Sequence, residues 1–226
     1  STMGVYYAYV DEAPVIVLGA TGPMDTSRRR PFIDWIHTAQ DQGDVVREFT
    51  KWDDQPHTVA SVPESFARAY RVATTPPYGP VYLVFDSNLQ EDPLLVEVPM
   101  LDPKRLVAPD PSALSANTVE KIADMLVAAK RPVALADMVG QSQAAVDKLV
   151  ELAELLAIPV VDGGRRMNFP NTNRLDVTDY RDVFKDADLL FGVEVRDFER
   201  ALTTLNRTTR ERTPIIPDDC KIIDLS

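Results

Sequence analysis

Cysteine, histidine and long apolar runs are all scarce in this sequence. The single cysteine, Cys220, cannot form a disulfide within the chain, and this usage is typical of a reducing compartment. Two histidines, His37 and His57, with one cysteine cannot make a common metal site. The apolar runs are well short of the roughly 20 residues that span a bilayer, and no charged-then-apolar leader opens the sequence. We therefore expect a cytoplasmic protein with no metal ligands of its own and no membrane contact.

Positive charge is also in short supply. The chain has 24 Lys and Arg residues against 35 Asp and Glu residues, which gives a net charge of −11. A phosphate backbone would be repelled by such a surface on average, so nucleic acid is not expected as a partner. The composition, with 45% apolar and 26% charged residues, is that of a globular protein.

Several motifs that carry chemistry are missing. The sequence contains no P-loop, no G-x-G-x-x-G and no G-x-S-x-G elbow. Two simpler glycine turns follow apolar runs, one with Gly140 and one with Gly163, Gly164 and Arg165. Backbone amides at such turns can bind the phosphates of a nucleotide, but ordinary strand-to-helix loops explain them as well, and the sequence leaves both interpretations open.

Short apolar runs alternate with amphipathic segments along the whole chain. The runs are residues 15–20, 81–86, 133–136, 158–161, 188–193 and 221–225, with a further strand predicted at 47–52. Their length and continuous apolar character predict parallel strands covered on both faces. Capping boxes at Ser61 with Glu64 and at Asn117 with Glu120, and a cap at Ser142, predict three helix starts. The pattern predicts an α/β protein with two Rossmann-like, doubly wound parallel-sheet units.

A proline-rich segment separates the two predicted units. Residues 88–111 contain no helix signal and five prolines, which are Pro93, Pro99, Pro103, Pro109 and Pro111. We predict an extended linker there, between a first unit at 1–87 and a second unit at 112–226.

Seven short motifs in order resemble one enzyme family. The order YYAYVDEAPVIVLGA, DQGDVVREFTKW and ATTPPYGPVYLVFD is followed by AAKRPVALA, LLAIPVV, DADLLFGVEV and CKIIDLS. This order resembles the pyrimidine-binding domain, then the central domain, of thiamine-diphosphate-dependent enzymes of the acetolactate synthase and benzoylformate decarboxylase group. Residues 1–87 correspond to the second half of that pyrimidine-binding domain, and 112–226 to the central domain.

The resemblance implies what the complete enzyme requires. It implies thiamine diphosphate and Mg²⁺ as cofactors, a small-molecule 2-oxo acid as substrate, and a homodimer or homotetramer with active sites between subunits. The activating Glu and the G-D-G motif that holds Mg²⁺ have no counterpart in this sequence, and the opening residues suggest a helix caught in its middle. We therefore expect a fragment of a longer enzyme, a carboligase or a decarboxylase, which is inactive alone.

The same resemblance assigns a substrate channel to the loop after the first strand. Counting back from Thr50 and Lys51, the F-Q-E-x-D block of acetolactate synthases falls on residues 37–41, where only the Asp matches. The channel candidates are His37, Thr38, Gln40, Asp41 and Lys51. His37 could transfer protons or simply pack the loop, and Arg28 to Arg30 could meet a phosphate-bearing substrate such as a coenzyme A ester or lie in solvent.

FAD, which acetolactate synthases often bind in the central domain, is doubtful in this chain. GVEVRDFER only partly resembles the family's G-x-R-x-D-D-R turn, and Asp137, Met138 and Val139 stand where glycines are expected. The competing hypothesis is a non-catalytic, Rossmann-like module that binds a nucleotide or a protein partner.

Overall fold

The computed structural model describes residues 2–98, 100–102, 104, 106 and 112–226. The chain divides into two compact units, Ser1–Ser112 and Ala113–Ser226. Of the predicted linker's prolines, Pro99, Pro103, Pro109 and Pro111 lie outside the described residues. The assignment of the two units to a half pyrimidine-binding domain and a central domain stays a prediction.

The first unit contains a parallel sheet of three strands. Its elements are α1 (Thr2–Val10), β1 (Ile16–Thr21), α2 (Ile33–His37), β2 (Trp52–Asp54), α3 (Val62–Ala73), β3 (Val81–Asp86) and α4 (Ser87–Glu91). The strand order is β1-β3-β2, so β3 lies in the middle. Its Val81 and Leu83 are fully buried against Ala69 and Ala73 of α3. The helix α3 therefore covers one face of the sheet through its small residues.

Short helix α4 corrects one expectation. Residues 88–111 are predicted to contain no helix, yet α4 occupies the start of that segment. The Asp86 side chain accepts a hydrogen bond from the Asn88 backbone N–H at 2.7 Å and so caps the helix. The prediction was wrong there because the capping Asp lies inside the preceding strand.

The second unit contains a parallel sheet of four strands. Its elements are α5 (Ala116–Ala128), β4 (Pro132–Ala136), α6 (Gln143–Leu156), β5 (Val160–Asp162), β6 (Leu189–Val193), α7 (Phe198–Leu202), β7 (Thr203–Leu205), β8 (Arg212–Pro214) and β9 (Lys221–Leu225). In the order β5-β4-β6-β9, β5 lies on one side of β4, and β6 and β9 lie on the other. The chain therefore winds first one way and then the other from β4, as in a doubly wound sheet. A small antiparallel hairpin, β7 and β8, accompanies it. The predicted α/β class with parallel sheets is confirmed.

Both faces of the second sheet are buried. Along β4, Ala134 and Ala136 belong to one core cluster, whereas Val133 and Leu135 belong to another on the opposite face. This alternation follows from the two-residue period of a strand. The resulting double burial explains why the strands read as continuous apolar runs.

None of the described helices combines the length and the apolar character that crossing a membrane demands.

Candidate functional site

A cavity of about 490 Å³ lies at the carboxyl end of β1. Its polar wall is formed by Thr21, Arg30, His37, Thr38, Gln42 and Ser87, with the carboxylate-bearing Asp34 among them. Its apolar wall is formed by Ala20, Ile33, Ile36 and Ala39. The segment that follows β1 supplies most of both walls, because it leaves the strand, forms α2 and then returns to the strand end.

Close backbone contacts bring that segment back to β1. The Gly22 N–H donates to the His37 carbonyl at 3.3 Å. The buried Thr21 hydroxyl donates to the Ala39 carbonyl and accepts from the Ala39 N–H, at 3.3 Å each. A side chain at position 22 would overlap the Thr38 hydroxyl, so this approach requires glycine. His37 and Thr38 are thereby fixed beside the end of the strand.

Asp34 anchors the middle of the same segment. Its carboxylate is 2% exposed and accepts from the Arg30 backbone N–H at 2.6 Å and from Arg30 Nη2 at 3.1 Å. The hydrogen bonds from the Arg30 side chain and backbone hold the pKa of Asp34 below its usual value. A buried, ionised carboxylate that accepts from the backbone N–H, Nε and Nη2 of one residue closes the turn that precedes α2.

The Asp34 anchor should fail in acid. Because its folded-state pKa is lowered, its stabilising contribution is present above the ordinary Asp pKa of about 3.9 and is lost as the pH falls through the lower folded value. We expect Asp34→Asn to accelerate hydrogen exchange of residues 30–38 at pH 6, and the difference from the wild type to shrink as the pH falls below the ordinary Asp pKa. Asp44→Asn, at an exposed carboxylate, should leave that segment unchanged; a difference that persists in acid would contradict the prediction.

Three consecutive arginines shape the loop before α2. Arg28 forms two hydrogen bonds with Asp92, at 2.6 and 2.7 Å, and Arg29 Nε donates to the Pro23 carbonyl at 2.7 Å. Arg30 also lies 3.6 Å from Glu91. Since each guanidinium is engaged within the chain, their observed contacts hold the loop together.

The other channel candidates lie apart from the described cavity lining. Gln40 is exposed, and Asp41 pairs with Arg47 at 3.0 Å, in a cluster that includes Asp44 and Asp53. Lys51 Nζ donates to the Val72 and Thr75 carbonyls at 2.6 Å each, at the end of α3. Burial lowers the pKa of Lys51. The structure thus brings two of the five candidates, His37 and Thr38, into the cavity wall.

Sequence reasoning did not identify Ile33, Ile36 and Ser87 as lining residues. Ser87 directly follows β3, whose carboxyl end lies beside that of β1 in the sheet. The carboxyl edge of a parallel sheet is where ligands bind in α/β folds, so its position after β3 was an available signal. No comparable signal marks Ile33 and Ile36, because apolar residues in a helix usually indicate a core.

The glycine turns of the second unit are closed by the chain itself. The Gly140 N–H donates to Asn168 Oδ1 at 3.0 Å, and the Gly164 N–H donates to Asp162 Oδ1 at 2.8 Å. The Gly163 N–H donates to the Ala136 carbonyl at 2.7 Å. Gly164 has a φ of 87°, which explains a glycine there, and Arg165 follows it as an exposed residue. The three glycine amides are therefore already used, and a nucleotide at these turns stays a hypothesis.

An ion pair bridges the ends of β4 and β6. Arg196 Nε lies 3.1 Å from Asp137 Oδ2, and the two side chains are 23% and 14% exposed. Doubly wound sheets bind nucleotides where the strand order reverses, which in this unit is between β4 and β6. The charged side chains and the buried Met138 and Val139 occupy the position where glycines would leave room for a phosphate. These residues fit FAD poorly.

Two curated proteins are similar to part of this chain. No protein-family model matches the chain. A protein from Methanocaldococcus jannaschii described as a "probable acetolactate synthase large subunit" is 28% identical over 166 residues, 70% of this chain and 26% of that protein. A protein from Methanococcus aeolicus with the same description is 26% identical over 159 residues, with the same two shares.

Solved structures match nearly the whole chain. A protein from Mycobacterium smegmatis described as a "putative thiamin diphosphate-dependent enzyme" aligns with a TM-score of 0.68 and 21% identity, over 98% of this chain and 41% of that one. The thiamine diphosphate-dependent 4-hydroxybenzoylformate decarboxylase of Rhodococcus jostii RHA1 aligns with a TM-score of 0.72 and 19% identity, over 99% and 42%. The resemblance to thiamine-diphosphate-dependent enzymes is confirmed. The chain has their fold over part of their length, and it spans about a quarter of the curated relatives it matches.

Proposed function

We propose that this chain is part of a thiamine-diphosphate-dependent enzyme that breaks or forms the bond next to the carbonyl of a 2-oxo acid. The observation that carries the proposal is the cavity at the end of β1, with His37 and Thr38 in its wall. By the family resemblance, we expect the substrate channel at this loop. The relatives support the same chemistry, since they include a probable acetolactate synthase and a benzoylformate-type decarboxylase. Carboligation by a transferase and decarboxylation by a lyase are both compatible with it.

The cofactor would be held largely by residues outside this sequence. Thiamine diphosphate, when bound, supplies the group that stabilises a carbanion next to the former carbonyl carbon. Within residues 2–98, 100–102, 104, 106 and 112–226, no group of three or more His, Cys, Asp or Glu side chains could hold a metal. We therefore assign no described residue to Mg²⁺ or to the diphosphate. The fragment alone should be inactive, and the complete protein should be a cytoplasmic homodimer or homotetramer.

The chain's own contribution is a wall that binds and orients the substrate. An imidazole can donate from one ring nitrogen and accept at the other, which suits contact with a carboxylate or a carbonyl oxygen. His37 is exposed in the cavity wall, and its backbone is fixed by Gly22. Its ring would hydrogen-bond the substrate or exchange a proton with it.

We expect His37→Ala to lower kcat/KM of the complete protein by about 10- to 150-fold, the usual loss for one hydrogen bond to a charged group. The measurement is steady-state turnover of a series of 2-oxo acids with thiamine diphosphate and Mg²⁺, with carbon dioxide, aldehyde and 2-hydroxy-2-methyl-3-oxo acid products quantified. The matched control is His57→Ala, because His57 is also exposed and is absent from the described lining. Equal losses in the two variants would remove His37 from the proposal.

The mass of the protein in its own cell tests whether these residues are part of a longer polypeptide. The 226 residues have a mass of 25.1 kDa. A native polypeptide more than about twice that mass would support the proposal, in line with the division of long chains into several domains. A native polypeptide of the same mass would contradict it, because the Glu and G-D-G segments would then have to come from another chain.

A further inference from the structure

The Tyr82 side chain reaches from β3 across to β1. Val81 and Leu83 of β3 are buried against α3, so Tyr82 points to the opposite face of the sheet. Tyr82 is paired with Val17 in the strand register, and its ring extends farther along β1 to Gly19. A side chain at position 19 would overlap the Tyr82 hydroxyl, so this close approach requires glycine. The phenol oxygen is thereby held beside the strand that ends at the cavity.

The Gln42 amide lies between this hydroxyl and the backbone of β1. The Tyr82 hydroxyl donates to Gln42 Oε1 at 3.0 Å, and Gln42 Nε2 donates to the Ala20 carbonyl at 2.8 Å. A backbone carbonyl can only accept, so it must face the amide nitrogen, and the amide oxygen is left to face Tyr82. Burial raises the pKa of Tyr82 above its ordinary value, so the hydroxyl keeps its proton at neutral pH. Two hydrogen bonds therefore fix one orientation of the amide.

The same amide forms part of the cavity wall. Gln42 and Ala20 both line the cavity, whereas Tyr82 is absent from the described lining. An amide nitrogen carries two hydrogens, and the bond to Ala20 uses one of them. Among the residues that the structure describes, Gln42 Nε2 has no second acceptor. Since Gln42 is only partly buried, an oxygen of a ligand in the cavity can accept the remaining N–H.

We propose that Gln42 donates this N–H to a substrate oxygen, and that Tyr82 is the positioning residue that fixes the amide for this contact. The proposal rests on the proposed function, since it adds a contact to the wall of the same cavity. Tyr82 touches no substrate and acts through Gln42. Without the phenol hydroxyl, the amide keeps one hydrogen bond, and its terminal torsion has a broad minimum. The N–H would then be directed at the substrate in only a fraction of the molecules, and the apparent affinity would fall by that fraction.

A double-mutant cycle on the complete protein, with thiamine diphosphate and Mg²⁺, tests whether Tyr82 acts through Gln42. Turnover of pyruvate and of benzoylformate is measured. Tyr82→Phe should lower kcat/KM by about two- to tenfold, the usual effect of one hydrogen bond between neutral groups. In the Gln42→Ala background the same substitution should change kcat/KM by less than about twofold, because there is no amide left to position. A purely structural Tyr82 would instead lower the active fraction by the same factor in both backgrounds.

The control is Tyr70→Phe, because Tyr70 is 45% exposed in α3 and is absent from the described lining. It should leave kcat/KM unchanged. Equal losses from Tyr82→Phe in the two backgrounds, or no loss in either, would overturn this inference while leaving the proposed function in place. Absence of turnover of both acids by the wild type would instead contradict the proposed function.

Selective ¹⁵N labelling of glutamine gives a second measurement that needs no turnover. The side-chain signals of Gln42 are those that disappear in Gln42→Ala. In Tyr82→Phe their hydrogens should exchange with water faster than in the wild type, because one of the two hydrogen bonds that hold the amide is lost. Unchanged exchange would overturn the positioning role of Tyr82, whatever the activity of the variant.

Discussion

Replacing Phe184 by alanine is expected to lower the free energy of unfolding of the second unit by about 3–5 kcal/mol, the usual cost of an aromatic-to-alanine change in a core. Phe184 is 0% exposed and belongs to the core cluster that contains Val133, Leu135 and Leu190. It lies in a short 3-10 turn, Arg181–Asp186, that covers this face of the sheet. One side chain from irregular backbone thus fills a central part of the core.

Native-state hydrogen exchange of the β4 and β6 amides measures this loss, because these strands open only when the unit unfolds. Tyr180→Ala is the matched control, since Tyr180 is 75% exposed and directly precedes the same turn. Its effect should stay within about 0.5 kcal/mol, as at most surface positions. Similar losses in both variants would mean that the turn does not contribute to the core in solution.

Removal of the Asp162 carboxylate is expected to cost about 2–4 kcal/mol, because it leaves buried donors unpaired. Asp162 accepts hydrogen bonds from the Gly164 N–H at 2.8 Å, the Asn168 N–H at 2.9 Å and Asn168 Nδ2 at 2.7 Å. Asn168 is fully buried, and its Oδ1 in turn accepts from the Gly140 N–H. The carboxylate therefore links the loop after β5 to the loop after β4.

Hydrogen exchange of the amides of Gly140, Gly164 and Asn168 in Asp162→Ala would report this loss directly. Asp182→Ala provides the comparison, because the Asp182 side chain is 85% exposed and pairs with Lys185 at 2.9 Å on the surface. An exposed pair of this kind is worth about 0–1 kcal/mol. If these amides exchanged as slowly in the Asp162 variant as in the Asp182 variant, the network would be dispensable for stability.

Most strands could be predicted from the sequence, because strands that are buried on both faces form continuous apolar runs. The runs at 81–86, 133–136 and 188–193 coincide closely with β3, β4 and β6. The strand predicted at 47–52 was misplaced, since Arg47–Phe49 forms a 3-10 turn and β2 begins at Trp52. The hairpin of β7 and β8 was missed, because its short, mostly exposed strands carry no apolar pattern.

Helix caps were harder to predict than helices. The Ser142 cap is confirmed, since its side chain accepts from the Ala145 N–H. The capping box at Ser61 was wrong, because Thr58 caps a 3-10 turn that runs into α3. The box at Asn117 was also wrong: Ser115 caps α5 two residues earlier. Several polar residues near a helix start are chemically suitable caps, and the preceding backbone decides which one is used.

The cavity could be located from the sequence only in part. Counting back from Thr50 placed His37 and Thr38 after β1, and both line the cavity. The same block included Gln40 and Asp41, which lie in different surroundings because the chain turns through Gly43–Val45 directly afterwards. The partner strands and helices that complete the walls are fixed by tertiary packing, which local sequence does not encode.

The ion pair between Asp137 and Arg196 has a thermodynamic consequence. A bound molecule that bridges a crevice stabilises the folded domain, so the melting temperature of the domain rises with the concentration of that molecule. In this unit two strand ends are linked by charges that the chain carries itself. The stabilisation they give is independent of any solute concentration, and because both groups are mostly buried, ordinary changes in ionic strength alter it little.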